Sequence, residues 1–124
     1  MTIDIPEEKM TAYRKSAKKR WLKQLQEKEE WKENAIKLAN QLAAILKKDY
    51  NAKQVVLFGS LARDDVFDSR SDVDLAVWGL EDSIYYRVLS RLMDINPEIK
   101  IDLVMVENAS RNIIKTIEEE GKVL

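Results

Sequence analysis

Between Pro6 and Gly59 the chain contains neither glycine nor proline. These are the strongest local interrupters of a helix, so their absence leaves residues 7–49 free to form one. Pro6, Glu7 and Glu8 suit a first helical turn, with Asp4 or Ile5 near the cap, because fixed φ and negative charge both favour a helix start. Met10, Tyr13, Ala17, Trp21 and Leu25, and then Trp31, Ala35, Leu38, Leu42 and Ile45, recur at steps of three and four. That spacing draws an apolar stripe along a helix. The stripe thins near Lys28, where Glu27, Glu29 and Glu30 crowd in, and a break or bend can fall there. Unbroken, a helix of about 40 residues is roughly 60 Å long. This exceeds the width of a domain that 124 residues can build, so part of the helix must project or fold back.

The rest of the chain alternates between short apolar runs and helical patterns. Gln54–Phe58 (QVVLF) reads as a buried strand, and Gly59–Ser71 as a turn, a short helix and a polar loop. Val73–Trp78 forms a second strand, and Asp82 or Ser83 caps a helix to about Asp94 that Asn96-Pro97 ends. Lys100–Val106 is a third strand, and Asn108 caps a last helix that stops at Gly121. Trp78, Tyr85 and Tyr86 belong to the core or its rim. The expected fold is α/β (α+β): a small mixed sheet flanked by helices, with a long N-terminal helix. Residues 1–50 form a helical extension and residues 51–124 a compact domain.

Composition excludes several chemistries. With no cysteine and no histidine, the chain has no thiolate nucleophile, no disulfide, no histidine base and no His- or Cys-ligated zinc. Any bound metal must be a hard cation held by oxygen, with Mg2+ the first candidate. Charge is divided unevenly: residues 1–50 hold 12 basic and 8 acidic side chains, and residues 51–124 hold 9 basic and 14 acidic. Lys9–Lys23 carries seven basic residues and no acidic one. Such a run is either a solvated helix face or a contact for an acidic protein or for RNA phosphates. Trp21 and Trp31 read as packing residues, and on a projecting helix the packing partner is another chain. No apolar run reaches the roughly 18–20 residues that cross a bilayer, and no secretory signal opens the sequence, so a cytoplasmic location is expected.

The chemistry gathers in Phe58-Gly59-Ser60-Leu61-Ala62-Arg63 and Ser71-Asp72-Val73-Asp74-Leu75. Gly59 and Ser60 lie where a buried strand hands over to a helix; glycine lets the backbone approach a ligand closely, and the helix start presents unpaired N–H groups that favour phosphate. Asp72 and Asp74, two apart at the head of a strand, project from one face. Two such carboxylates repel unless a cation sits between them, and paired Mg2+ ions bridged by carboxylates serve in-line displacement at phosphorus. Asp102, set in the apolar strand Lys100–Val106, supplies a third carboxylate that a neighbouring strand can bring alongside. The plainer alternatives are turn-capping aspartates at 72 and 74, and an Asp102 paired with Lys100 or an arginine.

The order strand, Gly-Ser, Asp-x-Asp and a later strand Asp resembles the polymerase-beta-like nucleotidyltransferase superfamily. Here 11 residues separate Gly59-Ser60 from Asp72-x-Asp74. The end of the chain, Ile117–Leu124 (IEEEGKVL), is similar to the close of a minimal nucleotidyltransferase (MNT) domain. The resemblance covers residues 53–124. It implies that Gly59 and Ser60 hold the nucleotide phosphates, that Asp72, Asp74 and Asp102 bind two Mg2+ ions, and that Asp102 also serves as general base. It matches Arg63 to a motif arginine that touches the triphosphate; pairing with Asp64 or Asp68 is the structural alternative.

MNT domains of this size pair with HEPN-domain RNase toxins as antitoxins. The resemblance therefore implies transfer of AMP from ATP to a tyrosine hydroxyl of such a toxin, with residues 7–49 supplying much of the docking surface. Two rival readings are neutralisation by steric cover alone and transfer to a small molecule.

Overall fold

The computed structural model describes residues 6–124, so Asp4 and Ile5 lie outside the described residues. Helix α1 runs from Glu7 to Asp49 without interruption. Glu27–Glu30 does not break it, since glutamate and lysine are good helix formers and crowding of like charge costs only tenths of a kcal/mol. Glu7 and Glu8 in its first turn, and Lys47 and Lys48 in its last, both match the helix dipole. Its two halves differ completely. Ala35, Leu38, Ala39, Leu42, Ala43 and Leu46 are buried, whereas every residue from Thr11 to Glu30 is exposed. At about 1.5 Å per residue, Glu7–Glu30 projects roughly 36 Å.

Four strands form one mixed sheet: β1 (Gln54–Phe58), β2 (Asp72–Trp78), β3 (Lys100–Met105) and β4 (Lys122–Val123). Their spatial order is β3-β2-β1-β4. β1 runs antiparallel to β2 and to β4, and β2 runs parallel to β3. Helix α2 (Tyr85–Ile95) makes the crossover between β2 and β3, and α3 (Arg111–Glu120) follows β3.

The sheet has two unlike faces. Val55, Leu57, Val73, Leu75, Val77 and Leu103 point into the larger core with α1, with Val88 and Leu92 of α2, and with Phe67. The opposite face carries a smaller cluster of Val56, Phe58 and Ala76 beneath Ile117 of α3. Because side chains alternate along a strand, Asp74 shares this second face with Ala76, and Asp102 shares it with Val104.

Several sequence expectations need correction. No helix forms within Gly59–Ser71; the segment opens with a turn, in which the Arg63 N–H donates to Gly59 O at 3.0 Å and the Asp65 N–H to Ser60 O at 3.1 Å. Asp64, at φ 61°, takes the left-handed conformation, which ends any helix there. The helix after β2 opens with a 3-10 turn, Asp82–Ile84, before α2 proper. Ser110, not Asn108, caps α3, its hydroxyl accepting from the Ile113 N–H at 3.3 Å. Asn108 closes a 3-10 turn after β3 and donates to Asp82 at 2.8 Å. The short β4 was unforeseen. Gly121, at φ −69°, is needed because a Cβ would lie 2.5 Å from Val56 Cγ1, where the chain turns back onto β1. Among the described residues, no helix is long and apolar enough to cross a membrane.

Candidate active site

The register of the sheet assembles the three aspartates. Asp74 is paired with Phe58 of β1 on one side and with Asp102 of β3 on the other. Residues directly opposite each other project from the same face, so Asp102 stands beside Asp74. Asp72, two residues earlier, shares that face and is paired with Lys100. Among the described residues none of the three carboxylates forms an ion pair, and Lys100 does not bridge to Asp102. Asp72 and Asp102 are exposed, and Asp74 is half-buried.

Gly59 follows Phe58 directly and sits against this acid. With φ at 77°, its backbone is left-handed, and a Cβ there would fall 2.1 Å from Asp74 Oδ2. Both facts call for glycine at this position. Among the described residues, the next three N–H groups, of Ser60, Leu61 and Ala62, find no backbone hydrogen-bond partner. A run of free N–H groups in a turn is a concave anion site. The unpaired N–H groups expected at a helix start are therefore offered by a turn instead.

Asp74 titrates abnormally, its carboxyl pushed up to about 6. Burial is the main cause, followed by repulsion from Asp102 and then Asp72; Arg63 partly opposes the rise and Glu120 adds to it. This is negative charge that the surrounding cations do not fully offset. Three hard oxygen donors with that excess suit a divalent cation such as Mg2+. The donors share a face without enclosing a point, since among the described residues no three acidic groups are gathered closely enough to surround an ion.

Arg63 lies at the rim of this site with its own partners. Its Nε donates to Asp65 Oδ2 and its Nη1 to Glu120 Oε2, each at 2.8 Å. Neither Asp64 nor Asp68 holds it: Asp64 pairs with Lys32, and Asp68 closes the turn before β2 through Arg70 and Ser71. The guanidinium thus ties the Gly59 turn to the end of α3. Sequence reasoning missed Glu120, because nothing local distinguishes it within Glu118-Glu119-Glu120.

A cavity of about 480 Å³ opens along the outer edge of β3, lined by Tyr85, Tyr86, Val104, Met105, Asn108 and Ile113 among others. The Tyr85 hydroxyl donates to Leu103 O at 2.6 Å, and the Tyr85 and Tyr86 rings meet edge to face at 5.1 Å. Burial, and then Asp102, push the Tyr85 phenol upward. The three aspartates are not among the residues lining this cavity.

A family model described as polymerase beta, nucleotidyltransferase matches residues 40–124. The fold is similar to a chain of a toxin–antitoxin complex with AMP-PNP, at a TM-score of 0.59 and 22% identity over 68% of this chain and 70% of that one. It is also similar to a chain of a complex from Shewanella oneidensis, in which a tri-AMPylated HEPN toxin is bound to its MNT antitoxin. There the TM-score is 0.55, with 20% identity over 72% and 70% of the two chains. A chain of the MntA–HepT toxin–antitoxin complex scores 0.52, at 21% identity over 69% and 68%. At these identities the likeness is one of fold. No curated protein matches the sequence.

Proposed function

The chain belongs to the polymerase beta nucleotidyltransferase family, and from that premise we propose that it is an antitoxin that transfers AMP from ATP to a tyrosine hydroxyl of a HEPN-domain toxin. The observation that carries the reading is the register of Asp74 against Asp102, with Gly59 packed on Asp74. The similar structures add support, being complexes with a nucleotide analogue or with an AMPylated toxin.

In this reading the free N–H groups of Ser60, Leu61 and Ala62 receive the nucleotide phosphates, with the Ser60 hydroxyl as a further donor. Asp72 and Asp74 would hold both Mg2+ ions and Asp102 one of them, supplying positive charge to offset that on the phosphates and on the attacking oxygen. Asp102, on the β3 side and away from the phosphate turn, takes the proton of the acceptor hydroxyl. The freed oxygen attacks the α-phosphorus, the bond to the β-phosphate breaks, and pyrophosphate leaves. Arg63 steadies the turn and faces the triphosphate. The division into a helical extension, residues 1–50, and a nucleotidyltransferase domain, residues 51–124, is proposed as one of function, since the later part of α1 packs within the domain's core.

Incubating the protein with a HEPN-domain toxin, Mg2+ and α-labelled ATP tests the reading. Label should enter the toxin and fall by at least about 10³-fold in the Asp72→Asn/Asp74→Asn double variant, the scale expected when charge stabilisation of the transition state is lost. Equal labelling by the variant, or none by the wild type, defeats it. The projecting half of α1 favours a second reading, neutralisation by cover alone. In that case the double variant would still silence the toxin at equal expression.

A further inference from the structure

The apolar face that α1 lays on the core does not end where the core ends. Trp31, Ala35, Leu38, Leu42 and Leu46 step by three or four residues and pack against the domain. The row continues outward, past Lys28 as its one interruption, through Leu25, which shares a cleft with Val66 and Phe67, and then through Trp21, Ala17, Tyr13 and Met10. Every residue from Thr11 to Glu30 is exposed. Trp21 is 57% exposed and Tyr13 70%. Single exposed apolar residues are ordinary on a protein surface, but a row at core spacing beyond its own core is unfinished packing.

The charges beside the row indicate what finishes it. On helical spacing, Lys9 and Arg20 border one side of the row, and Arg14 and Lys18 the other. With no acidic residue between Lys9 and Lys23, both flanks are positive. A second copy of the chain, overlapping antiparallel, would set these cations against their own kind, which opposes pairing. RNA phosphates would satisfy the cations and leave Tyr13, Trp21 and Leu25 bare. A protein helix with an apolar face and acidic flanks satisfies both features at once. We infer that Met10–Leu25 of α1 is a docking rib for an amphipathic helix of a partner protein whose apolar stripe is bordered by aspartate and glutamate. The inference does not rest on AMP transfer, because the rib stands apart from the aspartate face.

Calorimetry with the full chain tests it, using a synthetic helical peptide with a leucine stripe flanked by glutamates and the same peptide with lysines. The glutamate peptide should bind at least about tenfold more tightly, and less so at high salt. Trp21→Glu/Leu25→Glu should abolish that binding with no change in melting temperature, since both side chains are exposed. Arg14→Glu/Lys18→Glu should reverse the preference toward the lysine peptide. The inference is overturned by equal binding of the two peptides, by binding indifferent to Trp21 and Leu25, or by tighter binding of a single-stranded RNA. Sedimentation of the chain alone as a dimer that the Trp21/Leu25 variant dissolves would overturn it as well.

Discussion

The two faces of the sheet follow opposite rules within the same strands. One face is apolar along the whole length of β2, where Val73, Leu75 and Val77 are fully buried. The other is apolar only at one end, under Ile117, and at the other end presents Asp72, Asp74 and Asp102. β2 and β3 thus serve stability with one set of alternate residues and carry the candidate acids on the other. The acidic end opposes folding, because like charges are held close where burial already disfavours ionisation.

Three substitutions separate the faces, and the largest effect falls on the closed one. Leu75→Ala should lose about 3–5 kcal/mol in denaturant unfolding, the cost of a cavity at a fully buried leucine. A loss below about 1 kcal/mol would mean that this face is not the structural one.

On the open face, Asp74→Asn should instead stabilise the protein when a chelator keeps metal away. The Asp74 carboxyl titrates near 6 when folded, against an ordinary 3.8. Between these values the folded protein keeps a proton that the unfolded chain has released, so stability falls as pH rises through that window. At full strength the difference is about 3 kcal/mol, and solvent screening of a half-buried group reduces it to about 1–2 kcal/mol at pH 7. Unfolding measured from pH 4 to pH 7 should show the wild type and the asparagine variant converging at the acid end (about the ordinary carboxyl range). Parallel curves would remove the strain assigned to this face. Mg2+ should narrow the gap at pH 7 by stabilising the wild type alone.

The smallest effect belongs to the strip where the faces compromise. Ile117→Val should cost about 0.5–1.5 kcal/mol, the usual range for one buried methyl group, because Ile117 is the only buried residue of α3. A larger loss, accompanied by loss of activity, would mean that α3 positions the acids through Arg63 and Glu120 as well as covering Ala76.

Much of this was legible in the residues themselves. The apolar run Gln54–Phe58 and the spacing of α1 fixed the elements, because burial imposes its period on the sequence. The Gly59, Asp72, Asp74 and Asp102 positions could be picked out because polar or side-chain-free residues inside apolar strands demand a reason. What could not be read depended on contacts distant in sequence. Arg63 meets Glu120 across 57 positions, and β4 is too short to show any alternation. The missing helix after Gly59 was a local misreading: Ser60-Leu61-Ala62-Arg63 has helical propensity, and the left-handed Asp64 overrides it. The continuity of α1 past Lys28 was likewise undecidable from charge alone.

Gly59 and the Asp74 side chain touch, so the part that would receive phosphate and the part that would receive metal behave mechanically as one component. Their spacing follows from the pairing of Phe58 with Asp74 across β1 and β2, with no flexible loop between them. A site machined in this way would keep its alignment while the surrounding loop breathes, and an alanine at position 59 would throw it out of true by the width of one methyl group.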